Sequence, residues 1–253
     1  MFATFFSNKV LQLHSTIKLL STNTSPHFQP HHVPANLTAF KPVTREELSK
    51  LIYQSTNTFC DLDPLPTSAL LSTITNIVNL SLNTGVFPKQ FNISSVSPLL
   101  KKCNLDKENL SNYRPISHLS FLSKLIERVV KQRLTHHLSS NALLNSFQSA
   151  YTKHHSTEST LLSVHDHIIK AMAQQKVTAL CLLDLNAAFD TIDHSILIHR
   201  LSSWFGLNGT VLSWLQSYIS SREFVVNINA SLSDSFPLHQ GVPQGSVLGP
   251  LLF

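Results

Sequence analysis

Two stretches of the chain hold residue types whose spacing could do chemistry. The first is Val177-Thr-Ala-Leu-Cys-Leu-Leu183, a continuous apolar run that fits a strand buried on both faces and that ends in Asp184. A carboxylate at the end of a buried strand is costly unless a cation or hydrogen-bond donors offset its desolvation. Ala187, Ala188 and Phe189 follow, then Asp190 and Asp193-His194. A metal site fits this pattern, and so does an ordinary turn whose aspartates cap local structure. The second stretch is Gln240-Gly-Val-Pro-Gln-Gly-Ser-Val-Leu-Gly-Pro250, with three glycines and two prolines in eleven residues. That composition dictates an unusual backbone path just before an apolar helix. Gly245 would let a flat ligand such as a base or sugar approach the main chain, and Gln244 offers a donor and an acceptor beside it. The loop matches neither phosphate-loop pattern and by itself specifies no ligand.

Several elements must position these residues. Thr44 can cap a helix with Glu46 and Glu47 at its positive end, and Leu70, Leu71, Ile74, Ile77 and Val78 form the stripe of another. Asp61 and Asp63 fall in the turn between them and read as local hydrogen-bonding residues rather than ligands. Val96 to Leu100 reads as a strand ending in Lys101 and Lys102, and Asn112-Tyr-Arg-Pro-Ile-Ser117 is extended because Pro115 disfavours helix at Arg114. The next helix carries Leu122, Leu125, Ile126, Val129 and Leu134 on one face and a basic stripe, Lys124, Arg128 and Lys131, on another. Ser156 can cap a further helix whose inner face would be Leu161, Leu162, His165, Ile168, Ile169 and Met172, with His165 a packed core residue. The pairs His136-His137 and His154-His155, read as neighbours on helices, point apart and cannot share a metal.

Composition narrows the function classes. Of the 253 residues 42% are hydrophobic and only 13% charged, with an excess of basic over acidic residues giving a formal charge of +5. That excess suits a polyanionic partner without demonstrating one. Cys60, Cys103 and Cys181 are isolated, which argues against a disulfide framework or a zinc site. No apolar run is long enough for a bilayer, and no secretory signal accompanies the Asn-x-Ser/Thr triplets at Asn23, Asn36 and Asn92. A reducing compartment, nuclear or cytoplasmic and not a secreted setting, is the expectation. Before Glu46 the chain has no acidic residue; it reads as a short helix followed by a Pro/His-rich linker around Pro26 to Pro34.

Taken in order, four motifs say more than any one of them. Asn112-Tyr-Arg-Pro-Ile116, Gln148-Ser-Ala-Tyr151 before a Ser-Thr-Glu helix start, Leu182-Leu-Asp-Leu-Asn-Ala-Ala-Phe-Asp-Thr-Ile-Asp-His194 and Gly241-Val-Pro-Gln-Gly-Ser-Val-Leu-Gly-Pro-Leu-Leu-Phe253 closely resemble the reverse transcriptases of LINE-type (non-LTR) retrotransposons, nearest the jockey and chicken-repeat group. Phe5-Phe-Ser-Asn-Lys-Val10 looks like the linker that follows the family's endonuclease. The resemblance implies an α+β fold: an N-terminal helix and linker over residues 1–40, right-hand polymerase fingers over 41–175, and the front half of a palm over 176–253 built around the Asp184 strand. It implies RNA-directed DNA synthesis, with an RNA template, a DNA primer or target, deoxynucleotides and two Mg2+ ions as partners.

Position by position, the resemblance assigns Asp184 to the first catalytic aspartate and the Leu185 carbonyl to a metal. Phe189 becomes the gate under the incoming sugar, Gln244 and Gly245 become nucleotide and template contacts, and Arg114, Lys124 and Arg128 become template-backbone contacts. Two features depart from the family. Thr152 stands where an arginine would meet the triphosphate, with Lys153 beside it, and the family's Tyr-x-Asp-Asp hairpin has no counterpart in residues 1–253. The expectation is therefore a catalytically incomplete enzyme. The alternative is a non-enzymatic remnant or a basic RNA-binding fragment.

Overall fold

Thr44 turns the chain into its second helix by accepting a hydrogen bond from the Glu47 amide at 3.2 Å, as its position before two acidic residues predicts. The computed structural model describes residues 1–20, 35–54, 70–185 and 187–253. Its main core is gathered largely from α2 (Arg45–Tyr53), α3 (Leu71–Thr84), α4 (Phe121–Ser140), α6 (His194–Ser203) and α7 (Gly209–Ile219). The apolar stripes mostly face inward: Ile74 and Val78 from α3, and Leu125, Ile126, Val129 and Leu134 from α4, are buried, whereas Ile77 at the edge of the α3 stripe is exposed. At the centre Trp214 stacks on Tyr218, with ring centroids 5.4 Å apart, and Phe87 meets both rings edge-on.

The strands form one mixed sheet. β1 (Ile93–Leu100) lies between β2 (Tyr113–His118), which is antiparallel to it, and β3 (Arg222–Ile228), which is parallel. A parallel neighbour needs a crossover, and α4, α6 and α7 lie along the chain between those two strands. β4 (Ser231–Leu232) and β5 (Phe236–Leu238) both pair antiparallel with β3. α1 (Phe2–Leu20) packs on the sheet, with Ala3 and Phe6 buried against Val96, Phe224 and Val226. The result is an α+β fold. No helix among the described residues is long and apolar enough to cross a membrane.

Three expectations are corrected. Residues 177–183 form no strand: Val177 is 100% exposed and Leu183 89%. A strand persists by pairing its backbone groups with a neighbour, and none of the described strands pairs with this run. α5 (Thr157–Ala173) forms as its cap predicts but buries none of its residues, so its apolar face lines no core and His165 is exposed. Local interactions are what hold it: a reciprocal Ser156–Ser159 capping box and an Asp166–Lys170 pair at 2.6 Å. His154 and His155 precede α5 in a turn rather than sharing a helix, whereas on α4 His137 is buried and His136 exposed. The expectations for Asn23, the Pro26–Pro34 stretch, Cys60, Asp61, Asp63 and Asn186 lie outside the described residues.

Candidate functional site

The loop between Gln240 and Pro250 is tied down on two sides. On one side the Gly241 and Val242 amides donate to the Ile192 and Phe189 carbonyls at 2.8 and 2.9 Å, and His194 Nε2 hydrogen-bonds the Gly241 carbonyl at 2.8 Å. On the other side the Ser117 amide of β2 donates to the Gln244 carbonyl at 2.8 Å. Glu127 of α4 reaches across the core, its Oε2 accepting from the Val247 and Leu248 amides at 2.7 and 3.1 Å. The glycines serve this clamping. A Cβ at Gly245, whose φ is +116°, would sit 2.6 Å from the Ser117 carbonyl oxygen. The close approach that requires glycine here is the one to strand β2, at the Ser117 carbonyl.

Gln244 turns its side chain toward the first stretch, Nε2 donating to Asp190 Oδ1 at 2.8 Å. Burial pushes the Asp190 carboxyl above its ordinary value, while the Gln244 hydrogen bond and the charge of Lys9 pull the other way. The two stretches singled out by residue type therefore meet, although 54 positions separate the contacting pair. A cavity opens beside that contact, lined by Phe6 and Lys9 of α1, Val96 of β1, Ser117 of β2, Asp190 and Gln244.

Phe189, Gln244 and Gly245 are brought together beside β2, the strand that carries Arg114. Phe189 is half-buried against the main core, its ring centroid 5.2 Å from that of Phe253 and 6.4 Å from that of Tyr151. Arg114 is exposed, and Lys124 and Arg128 are half-buried on α4. Asp184 and Leu185 do not join the cluster; both stand exposed on the irregular segment after residue 176. Among the described residues no group of three or more His, Cys, Asp or Glu side chains could hold a metal ion. The capping alternative for the aspartates holds for Asp193, whose Oδ1 accepts from the Ser195 and Ile196 amides at 2.8 and 3.0 Å at the start of α6. Thr152 donates its hydroxyl to the Gln148 carbonyl at 3.0 Å.

Sequence reasoning missed two residues. In the sequence Asp190 fits either a metal site or a capping turn, and only the fold shows that it is half-buried and accepts a hydrogen bond from Gln244. Glu127 went unread, although its signal was available: it sits in the middle of the apolar repeat of α4, where a solvated carboxylate has no place.

Residues 102–253 match the family model described as reverse transcriptase (RNA-dependent DNA polymerase). The probable RNA-directed DNA polymerase from transposon BS of Drosophila melanogaster is 34% identical over 192 residues, covering 76% of this chain and 21% of its own length. The probable RNA-directed DNA polymerase from transposon X-element of the same organism is 30% identical over 230 residues, covering 86% of this chain and 24% of its own length. The RNA-directed DNA polymerase from mobile element jockey of Drosophila funebris is 32% identical over 191 residues, covering 75% and 20% respectively. The chain spans between 20% and 24% of the length of these curated relatives. With the family model over more than half of the chain and a relative above 30% identity over three quarters of it, this chain belongs to the reverse transcriptase family, in its LINE-type, non-LTR branch.

Proposed function

We propose that the chain supplies the fingers and the front of the palm of an RNA-directed DNA polymerase, and that its Gln240–Pro250 loop positions a deoxynucleotide against the template. The observation that carries this reading is the double tether of the loop, to β2 through Ser117 and to the Phe189–Asp190 segment through Gln244 and Val242. A loop clamped on both sides is preorganised, and positioning is a large part of what a polymerase contributes to phosphoryl transfer. In this reading Phe189 underlies the sugar, Gln244 and Gly245 contact the nucleotide, and Arg114, Lys124 and Arg128 track the template backbone. An RNA template, a DNA primer or target and deoxynucleotides are its partners, and the exposed thiols of Cys103 and Cys181 suit a reducing compartment, nuclear or cytoplasmic.

Magnesium is the metal that the reading implies, with Asp184 and the Leu185 carbonyl as ligands. The described residues do not fit a two-metal centre: magnesium in such sites is held by carboxylates together with substrate phosphates, and no group of three or more His, Cys, Asp or Glu side chains gathers among them. The test is titration of the chain with a fluorescent deoxynucleoside triphosphate. Gln244→Ala is expected to weaken binding about tenfold, the loss of roughly one well-placed hydrogen bond. Equal affinity in the variant would remove the loop from the nucleotide site.

A second reading is RNA binding without catalysis, favoured by the exposure of both Asp184 and Arg114 and by the absence of a metal-ligand group among the described residues. It expects no extension of a primer on an RNA template, together with RNA binding that weakens as salt rises, the log–log slope being about −0.7 per neutralised phosphate on a single strand. Extension that Asp184→Ala abolishes would reject it.

A further inference from the structure

Among the described residues Glu127 is the only acidic side chain that is fully buried, with none of its surface exposed. An enclosed carboxylate is costly unless its oxygens are satisfied. Its oxygens accept from the Val247 and Leu248 amides on Oε2, at 2.7 and 3.1 Å, and from the Ser123 hydroxyl on Oε1, at 3.2 Å. A charged acceptor on main-chain donors makes a hydrogen bond stronger than a neutral one. Burial first, and then the Glu127 charge, also hold the neighbouring Tyr218 phenol well above its ordinary value.

The two amides belong to the residues that immediately follow Gln244, Gly245 and Ser246. An apolar side chain of similar volume would fill the same space with no desolvation cost, so filling the core does not account for a carboxylate. It does what an apolar residue could not: it holds two successive main-chain N–H groups on a loop remote in sequence. We propose that Glu127 is a positioning residue, which sets the Gln244–Gly245 turn against β2 and thereby the contact of Gln244 with Asp190. The inference rests on the nucleotide reading of the loop and adds the device that keeps that loop in place.

Glu127→Gln is the informative variant, because it preserves size and one acceptor oxygen while removing the charge and aiming a donor at donors. Leu134→Val, a core change on α4 away from the loop, serves as a control for lost stability alone. Hydrogen exchange of the Val247 and Leu248 amides, thermal unfolding and affinity for a fluorescent deoxynucleoside triphosphate are measured on the parent and both variants. Glu127→Gln should quicken exchange at residues 247 and 248 and weaken nucleotide affinity, each by about tenfold, the worth of about one charge-assisted hydrogen bond. Leu134→Val should lower the melting temperature and leave nucleotide affinity as it was. Unchanged affinity in Glu127→Gln, or an equal loss in Leu134→Val, would overturn the proposal. If the parent chain binds no nucleotide, the proposed function fails while the hold of Glu127 on the loop is decided by exchange alone: faster exchange confined to residues 241–249 upholds it, and unchanged protection rejects it.

Discussion

α4 and α5 start from similar material and end in opposite environments. Both are long, capped by a serine whose hydroxyl accepts a main-chain hydrogen bond, and carry leucines and isoleucines at helical spacing. α4 buries nine of its residues and docks on α2 through Arg133, whose two terminal nitrogens meet Glu47 at 2.6 and 2.8 Å. α5 buries none, and its Leu162 is 68% exposed. The difference lies outside the helices. α4 has α2, the α7 aromatics and the Gln240–Pro250 loop around it, whereas the chain that follows α5, residues 177–185, is itself exposed and offers no surface. An apolar stripe makes burial possible, and a neighbour makes it happen.

Paired truncations should break or uphold this contrast most sharply. Leu125→Ala on α4 is expected to cost about 2–5 kcal/mol by the loss of a packed side chain and the cavity left behind. Leu162→Ala on α5 should stay within about 0.5 kcal/mol, as exposed positions do. Urea unfolding of the two variants decides the matter, and a cost at Leu162 close to that at Leu125 would mean that α5 is packed in solution.

The docking of α4 gives the next effect. Arg133→Ala should cost about 1 kcal/mol, since the Glu47 pair is bidentate and only partly exposed. The Arg133 hydrogen bonds hold the Glu47 carboxyl below its ordinary value against the opposing effect of burial. Its stabilisation is therefore full above the unfolded carboxylate range and lost as pH falls through the lowered value. Melting curves of parent and variant should converge in acid; a gap independent of pH would assign the cost to lost packing of the arginine stem.

α5 supplies a smaller and purely local effect. Ser156→Ala removes the capping box at a cost of about 1 kcal/mol to the helix alone. Amide exchange across residues 157–173 should quicken while the global unfolding midpoint stays in place. A shifted midpoint would tie α5 to the core after all.

The smallest effect is expected at the seam between these regions. Burial raises the Asp190 carboxyl, so the protonated form is favoured in the fold and that contribution is lost as pH rises through the raised value. Asp190→Asn, which retains an acceptor for Gln244, should melt slightly above the parent at neutral pH, with the gain vanishing as pH falls. A variant less stable than the parent at neutral pH would show that the charge itself is needed there.

Much of the scaffold was legible from local pattern. The Thr44 and Ser156 caps, the stripe of α4, most of the stripe of α3, the strand from Val96 to Leu100 and the extended segment from Tyr113 to Ser117 all depend on residues within one element, and the fold contains each of them. The ordered motifs likewise pointed to the family by themselves. The geometry of the site was not legible in the same way. Asp184 was read as the end of a buried strand, and whether that strand forms depends on a ladder partner that no local pattern announces. The Ser117 carbonyl that lies against Gly245 likewise comes from a strand remote in sequence.

Caps and helical stripes follow from the sequence because their partners lie three or four residues away. The buried carboxylate of Glu127 on the Val247 amide, 120 positions distant, and Asp190 under Gln244, 54 positions distant, were decided by tertiary structure alone. The physical reason is that a buried charge is tolerated only where remote donors converge on it, and convergence is a property of the fold.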